Sequence, residues 1–172
     1  ILQGRCVGGS TTVNWTSSFR TPPDTLAWWR DHFALAGMSA AEMAPWFEQA
    51  EQRLNIGEWL TSPNQNNELL RLGAQRLGIS ASGIRRNVKG CWNLGSCGMG
   101  CPTNAKQSML VTTLPAALDA GARLLVQTRV QSLLVENGRV QGLVALAMGA
   151  DGVPEGARST RISARHVVVA GG

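Results

Sequence analysis

Three cysteines lie within eleven residues of this chain, in a segment that is rich in glycine. Cys91, Cys97 and Cys101 have the spacing Cys-x5-Cys-x3-Cys, and a proline follows the last of them. Thiolates that converge from such a loop can ligate iron, and a proline after the last cysteine is common in cluster loops. Three ligands suit a [3Fe–4S] cluster better than zinc, which would need Cys6 or a histidine as a fourth ligand. Structural cysteines or disulfides, without any metal, are the alternative.

A second segment that could contact a ligand runs from Gly8 to Asn14. Gly8 and Gly9 permit unusual backbone angles and a close approach of the backbone, and exposed N–H groups in such a loop can hold a pyrophosphate. Ser10 and the two threonines after it add hydroxyl groups, and Asn14 adds an amide. On spacing alone, an ordinary glycine- and serine-rich loop is the simpler explanation.

Composition limits the classes of function. A chain of 172 residues can form one ordinary domain or two small ones, and 44% hydrophobic residues are enough for a buried core. No apolar run approaches the length of about 18 residues that a transmembrane helix needs. The net charge of +5 comes from scattered arginines and not from a basic run, so no nucleic-acid partner is expected. Because Ile1 is neither an initiating Met nor the start of a leader, we expect an interior piece of a longer protein.

Helices must position these loops through most of the chain. Proline at the start of the first predicted helix, a Ser39–Glu42 capping box before the second and Pro63-Asn64 before the third mark their beginnings. Pro45 should bend or restart the second helix. The predicted helices cover residues 23–36, 40–54, 65–77 and 105–118. Four tryptophans at helical spacing, Trp28, Trp29, Trp46 and Trp59, are predicted to be mostly core residues.

Strands follow in the last third of the chain. Asn137-Gly138 is a strong hairpin signal because both residues tolerate a positive φ. Predicted strands cover residues 124–127, 129–135, 142–148 and 160–170. The β-branched run that leads to Gly171 and Gly172 is typical of a buried parallel strand that reaches a nucleotide. Taken as an isolated fragment, the chain should therefore look α+β, with helices first and a small antiparallel meander afterwards.

The glycine-rich segment also resembles a motif of the glucose–methanol–choline (GMC) oxidoreductases. Members carry Gly-Gly-Ser-Ser-x-x-Asn where FAD lies, and residues 8–14 match it with one Ser-to-Thr change. The resemblance implies that Gly8, Gly9 and Ser10 lie along the cofactor phosphates and that Asn14 lies near the flavin ring. Some members attach the flavin covalently through a histidine at the position of Val13. Valine cannot do this, so non-covalent FAD is expected.

Other segments extend the resemblance in the same order along the chain. The strand pair around the Asn137-Gly138 turn is similar to one beside the adenine, where Val130 would pair with the base through its backbone. Gly171 belongs to the strand and turn that close the nucleotide site. Residues 104–108 resemble a Gly-Ala-Lys-x-Ser-like stretch that follows a cysteine- and glycine-rich segment in many members. Bacterial sugar dehydrogenases of the family carry a similar cysteine spacing that holds a three-iron cluster.

The resemblance implies an α/β fold, as part of a Rossmann-like FAD/NAD(P)-binding domain of GMC type. Its expected parts are an FAD-binding segment at 1–21, a helical insertion with the cysteine loop at 22–104, and a return to the FAD-binding domain at 105–172. The implied reaction is oxidation of a small-molecule alcohol CH–OH with hydride transfer to flavin N5. Electrons would leave to oxygen, a quinone or a cytochrome.

Neither His32 nor His166 matches the family's catalytic base, a histidine of its C-terminal part, so no catalytic residue is assigned and the chain alone should be inactive. An iron–sulfur or zinc module, for electron transfer or structure, built on the three clustered cysteines is the alternative function. A non-catalytic scaffold with the same fold is a third.

Overall fold

The computed structural model describes residues 3–171, and the chain forms two compact units, Ile1–Ala122 and Arg123–Gly172. The first unit holds the helices and a two-stranded antiparallel sheet, and the second holds a three-stranded antiparallel sheet. The α+β appearance expected of the chain is therefore confirmed. The division at 1–21, 22–104 and 105–172 stays a prediction. None of the helices within residues 3–171 combines the length and the apolar character needed to span a bilayer.

The helices are α1 Pro23–Phe33, α2 Ala40–Arg53, α3 Gln65–Arg76 and α4 Thr113–Asp119. Local signals mark the starts of the first three. Helix α1 begins with a proline in its first turn, and α2 begins after a complete capping box between Ser39 and Glu42. Asn64 caps α3 by accepting a hydrogen bond from the backbone N–H of Asn67. Pro45 lies inside α2 but does not interrupt it.

The predicted helix over 105–118 is wrong for its first half. Residues 105–107 are extended because their backbone pairs with the short strand β2, Arg86–Asn87, and the residues after it. Residues 108–112 form turns, in which the N–H groups of Val111 and Thr112 donate to the Ser108 carbonyl. Lys89 N–H donates to the Ala105 carbonyl at 2.8 Å, and Gln107 N–H donates to the Asn87 carbonyl at 2.9 Å. Strand β2 also pairs with β1, Ile56–Gly57. The segment that follows the cysteines is thereby held extended beside β2.

The four tryptophans are not core residues. Trp28 is 48% exposed and stacks on His32 of its own helix, with ring centroids 4.7 Å apart. Trp59 is 38% exposed, and the Arg86 guanidinium lies over its ring at 4.2 Å. Within the described part of the first unit, the buried apolar side chains are Leu26 and Ala105. The buried polar residues there are Thr16, Asn87, Lys106 and Ser108.

The second unit is an antiparallel meander in the order β3-β4-β5. Its strands are β3 Thr128–Glu136, β4 Arg139–Met148 and β5 Pro154–Ser163. The predicted hairpin is confirmed: Asn137 and Gly138 take φ angles of 51° and 73° between β3 and β4. Residues 124–127, predicted as a separate strand, lie outside the sheet.

The last predicted strand, residues 160–170, is wrong beyond Ser163. The β-branched residues Val168 and Val169 are 87% and 78% exposed, and no strand of the described chain lies beside them. A strand needs a partner for its backbone groups, so this run remains irregular. Gly171 is exposed, and Gly172 lies outside the described residues.

Helix α2 is tied to its surroundings by one carboxylate between two arginines. Arg20 donates to both oxygens of Glu51 at 2.8 Å, and Arg85 Nη1 donates to Oε1 at 2.7 Å. The hydrogen bonds from Arg20, followed by the charges of both arginines, lower the pKa of Glu51 from its ordinary 4.5 to about 2. Glu51 therefore favours the folded state fully above pH 4.5, and this contribution is lost as the pH falls toward 2.

We predict that Glu51→Gln lowers the free energy of unfolding at pH 7 by about 1 kcal/mol, because the pair is partly exposed. The loss should shrink as the pH falls below 4.5, where wild-type Glu51 also gives up its contribution. Urea unfolding of both proteins between pH 3 and pH 7 measures the effect. Glu58→Gln, at an exposed position without an ion pair in the described chain, is the matched control. An equal loss in the control would contradict the prediction.

Candidate functional site

A buried lysine joins the two loops that the sequence singles out. Lys106 is 3% exposed, and its ammonium donates to the carbonyls of Thr12 at 2.7 Å, Asn14 at 2.7 Å and Cys97 at 2.6 Å. These three bonds use all three donors of the ammonium. Burial lowers the pKa of Lys106, and the neighbouring Cys97 and Cys101 oppose that shift. We name the joined segments the glycine loop (residues 8–14) and the cysteine loop (residues 91–102).

The two glycines of the glycine loop have different roles. Gly8 and Gly9 both have a positive φ, 89° and 58°. A Cβ on Gly8 would lie 2.9 Å from the Cβ of Leu110, whereas a Cβ on Gly9 would meet nothing within 4 Å. Gly8 is therefore required by internal packing. Gly9 leaves the backbone of a short 3-10 turn, Gly9–Thr12, open to a ligand.

Two polar residues of the glycine loop, Ser10 and Asn14, are exposed to solvent. Ser10 is exposed, and its hydroxyl accepts a hydrogen bond from Gly4 N–H at 3.0 Å. Asn14 is also exposed, and its Oδ1 accepts from Thr16 N–H at 3.2 Å. The Asn14 amide nitrogen has no partner in the described chain, so it can donate to a ligand. The loop thus presents an open backbone, a hydroxyl and an amide donor on a fixed base.

The three cysteines of the cysteine loop do not come together as a ligand set within residues 3–171. All four cysteines are free, and no three metal-ligating side chains come together within residues 3–171. Asn93 N–H donates to the Cys91 sulfur at 3.4 Å, and Arg86 Nη2 donates to the Cys97 sulfur at 3.7 Å. The structure therefore does not favour a [3Fe–4S] cluster or zinc on Cys91, Cys97 and Cys101, and it shows no disulfide between them.

Cys101 differs from the other cysteines in its surroundings. Burial alone would raise the pKa of its thiol, but hydrogen bonds from the Thr103 hydroxyl and from nearby backbone N–H groups lower that pKa to about 7. Cys101 lines an open cleft of about 450 Å³ between the glycine and cysteine loops. The cleft is lined by Thr12, Ser96, Met99, Gly100, Cys101, Pro102, Asn104, Lys106, Ser108 and Leu110. We call it the Ser108 cleft.

In the second unit, Val130 lies on β3, at an edge of the sheet. Met148 N–H donates to the Gln127 carbonyl at 2.7 Å, so these two opposite residues form a hydrogen-bonded pair. Such pairs alternate with non-hydrogen-bonded pairs along an antiparallel ladder. Val130, opposite Ala145 in the same register, therefore directs its N–H and C=O away from β4. Its backbone is available to a planar partner at the sheet edge.

Comparison with known proteins identifies the family of the chain. The model of the GMC oxidoreductase family matches residues 1–172. The chain belongs to this family. An uncharacterised GMC-type oxidoreductase of Sinorhizobium fredii is 35% identical over 150 residues, which are 87% of the chain and 30% of that protein. One of Mycobacterium tuberculosis is 37% identical over 143 residues, 83% of the chain and 23% of that protein.

A long-chain-alcohol oxidase of Arabidopsis thaliana is 31% identical over 138 residues, which are 80% of the chain and 18% of that protein. The chain thus spans less than a third of the length of these relatives. The matched region is the FAD-binding region of the family. The glycine loop fits that cofactor, because Gly9 leaves the backbone uncovered at a positive φ and Ser10 and Asn14 are exposed beside it.

Sequence reasoning missed the central role of Lys106. The available signal was scarcity: Lys106 is one of two lysines among sixteen basic residues, and it lies in an uncharged stretch. Nothing in the sequence identifies the three carbonyls that it binds.

We predict that Lys106→Met lowers the free energy of unfolding by about 3 kcal/mol, since three charge-assisted hydrogen bonds are lost and their carbonyls are left without a donor. Urea unfolding followed by tryptophan fluorescence measures the change. Lys89→Met is the matched control, because the Lys89 side chain is exposed and the hydrogen bond to the Ala105 carbonyl is made by the Lys89 backbone N–H. A loss below 1 kcal/mol for Lys106→Met would show that the loops do not depend on the ammonium.

Proposed function

We propose that this chain supplies the FAD-binding region of an enzyme that oxidises an alcohol CH–OH, with FAD held non-covalently. The observation that carries the proposal is the open glycine loop, fixed by Lys106, in a chain that matches the family along its whole length. When bound, FAD supplies a hydride acceptor at flavin N5. Val13 has no nucleophilic atom, which supports binding without a covalent link.

The residues of the glycine loop have distinct proposed roles. The uncovered backbone at Gly9 and the Ser10 hydroxyl bind phosphate oxygens, and Gly8 keeps the loop in its left-handed conformation. The free amide nitrogen of Asn14 donates a hydrogen bond to the flavin ring. Lys106 binds none of these groups, because its donors are used by loop carbonyls.

In the second unit, we propose that the β3 edge binds the adenine. Val130 would donate its N–H to a ring nitrogen and accept from the exocyclic amine through its C=O. This arrangement needs only backbone groups that point outward, as the ladder alternation of β3 and β4 provides. Gly171 is proposed as a further nucleotide contact.

The relatives named long-chain-alcohol oxidases suggest a long-chain alcohol as substrate and oxygen as acceptor, with a quinone or a cytochrome as the alternative acceptors. We propose that the catalytic base, which takes the proton of the alcohol hydroxyl, lies outside residues 1–172. His32 is already engaged, since its ring stacks on Trp28 and its Nδ1 lies 3.1 Å from the Trp28 carbonyl.

The test is an absorption spectrum of the protein, expressed with any sequence that flanks these residues in its gene. We expect two flavin bands, release of all flavin by acid precipitation, and anaerobic bleaching by primary alcohols that improves with chain length. Flavin that stays bound after acid precipitation would refute non-covalent binding. Absence of flavin, or bleaching by no alcohol, would refute the proposed function. The rates at which air and a quinone reoxidise the reduced flavin are then compared, and the faster oxidant identifies the electron acceptor.

We predict that Gly9→Ala weakens FAD binding about tenfold or more, because a Cβ would cover the open backbone and strain a positive φ. FAD titration monitored by flavin fluorescence measures the affinity. Gly83→Ala, at a glycine with open space and no positive φ, is the matched control. Equal affinities for both variants would contradict the role of Gly9.

We predict that Val130→Pro also weakens FAD binding while the sheet stays folded. Proline removes an N–H that points outward, so no ladder hydrogen bond is lost. Val130→Thr keeps the N–H and should bind FAD as wild type does. Circular dichroism checks the sheet, and the same fluorescence titration measures affinity. Unchanged affinity in the proline variant would rule out pairing through this N–H.

A further inference from the structure

Ser108 is a nearly buried residue in the lining of the Ser108 cleft. Ser108 is 3% exposed, and its carbonyl accepts bonds from Val111, Thr112 and the Thr112 hydroxyl. Its own hydroxyl has no hydrogen-bond partner in the described chain. No fully enclosed side-chain oxygen or nitrogen among those residues lacks a partner. The Ser108 hydroxyl is therefore not fully enclosed, and the cleft is the open space that Ser108 lines.

The rest of the cleft lining offers no cation with a free N–H donor. The Lys106 ammonium is the cation of the lining, and three carbonyls occupy its donors. Met99, Pro102 and Leu110 provide apolar surface, and the Cys101 thiol provides no attraction for an anion. A phosphate or carboxylate would lose part of its hydration here, and the ammonium has no N–H left to donate to it. The Thr12 and Ser96 hydroxyls of the lining already donate to carbonyls, and Asn104 is exposed to solvent. An apolar body with few polar atoms therefore matches the lining.

We propose that the Ser108 cleft binds a small neutral molecule that has an apolar body and one hydroxyl or carbonyl oxygen, hydrogen-bonded to Ser108. The proposed function supplies the identity of this ligand: it is the alcohol or the carbonyl product. The site itself follows from the cleft. Binding can therefore be tested without turnover.

Cys101 provides a reporter inside the cleft. In the FAD-loaded protein, with any flanking sequence, alkylation of each cysteine by iodoacetamide at fixed pH is followed by mass spectrometry. We expect 1-octanol or 2-octanone to slow alkylation of Cys101 at least threefold. Cys6 and Cys91 are exposed and lie outside the cleft, so their rates should not change. Octanoate, of the same length but charged, should protect poorly.

Two variants test the hydrogen bond. Ser108→Ala should raise the concentration for half protection about three- to tenfold, the value of one neutral hydrogen bond. Ser96→Ala is the matched control, because Ser96 lines the same cleft but its hydroxyl already donates to the Leu94 carbonyl at 3.4 Å. Protection by octanol alone identifies a hydroxyl ligand, and protection by octanone alone identifies a carbonyl ligand; both outcomes support the site.

Other outcomes overturn the proposal. Failure of both neutral compounds to protect Cys101, equal protection by octanoate, or equal behaviour of the two serine variants would each do so. One further result would show that the cofactor fills the cleft. In that case Cys101 is protected in the FAD-loaded protein without any alcohol, and it reacts once FAD is removed. Flavin bands that bleach with alcohol in the same protein would leave the proposed function intact in each of these cases.

Discussion

The fold of the first unit depends on how one buried ammonium is satisfied. A lysine removed from water costs several kcal/mol unless it is hydrogen-bonded. Lys106 meets this requirement with carbonyls that lie 94, 92 and 9 residues away along the chain. The carbonyl positions fix the backbone of the glycine loop from behind, and they fix the 3-10 turn of the cysteine loop, Cys97–Met99, at the same point. The side of the glycine loop that faces solvent is thereby left free for a cofactor.

A second layer of polar contacts supports this centre. Arg86 donates to the Thr16 hydroxyl at 2.6 Å and to the Trp15 carbonyl at 2.8 Å, and Asn87 donates to the Gln107 carbonyl at 2.9 Å. A Cβ on Gly98 would lie 2.9 Å from the Trp15 ring, so the cysteine loop packs closely on that ring. Gly98 and Cys97 of this loop therefore make structural contacts that do not require a metal. With few buried apolar side chains in this unit, directional bonds define its shape to a greater extent than hydrophobic packing does.

The sequence was informative where a signal acts over a few residues. The Ser39 capping box and the Asn137-Gly138 turn were both predicted, because each is complete within about four residues. Residues 105–107 were predicted as helix, but their backbone partners lie around Asn87, about 18 residues earlier in the chain. The run at 164–170 has strand composition, but composition does not supply a neighbouring strand. For the site, the paired glycines were predictable, whereas their division into one packed and one open position needed Leu110 in place.

The separation between Lys106 and the carbonyls that it binds has a consequence for the order of folding. The β3–β4 hairpin is local and has a pre-set turn, so it can form on a timescale of about 1–10 μs. The bonds from Lys106 to Thr12 and Asn14 instead close loops of more than ninety residues. Contacts of such long range form late, because the entropy of loop closure must be overcome first. During synthesis, the glycine loop leaves the ribosome long before Lys106 does. The loop can take its binding conformation only after Lys106 has emerged, so this conformation forms late in folding.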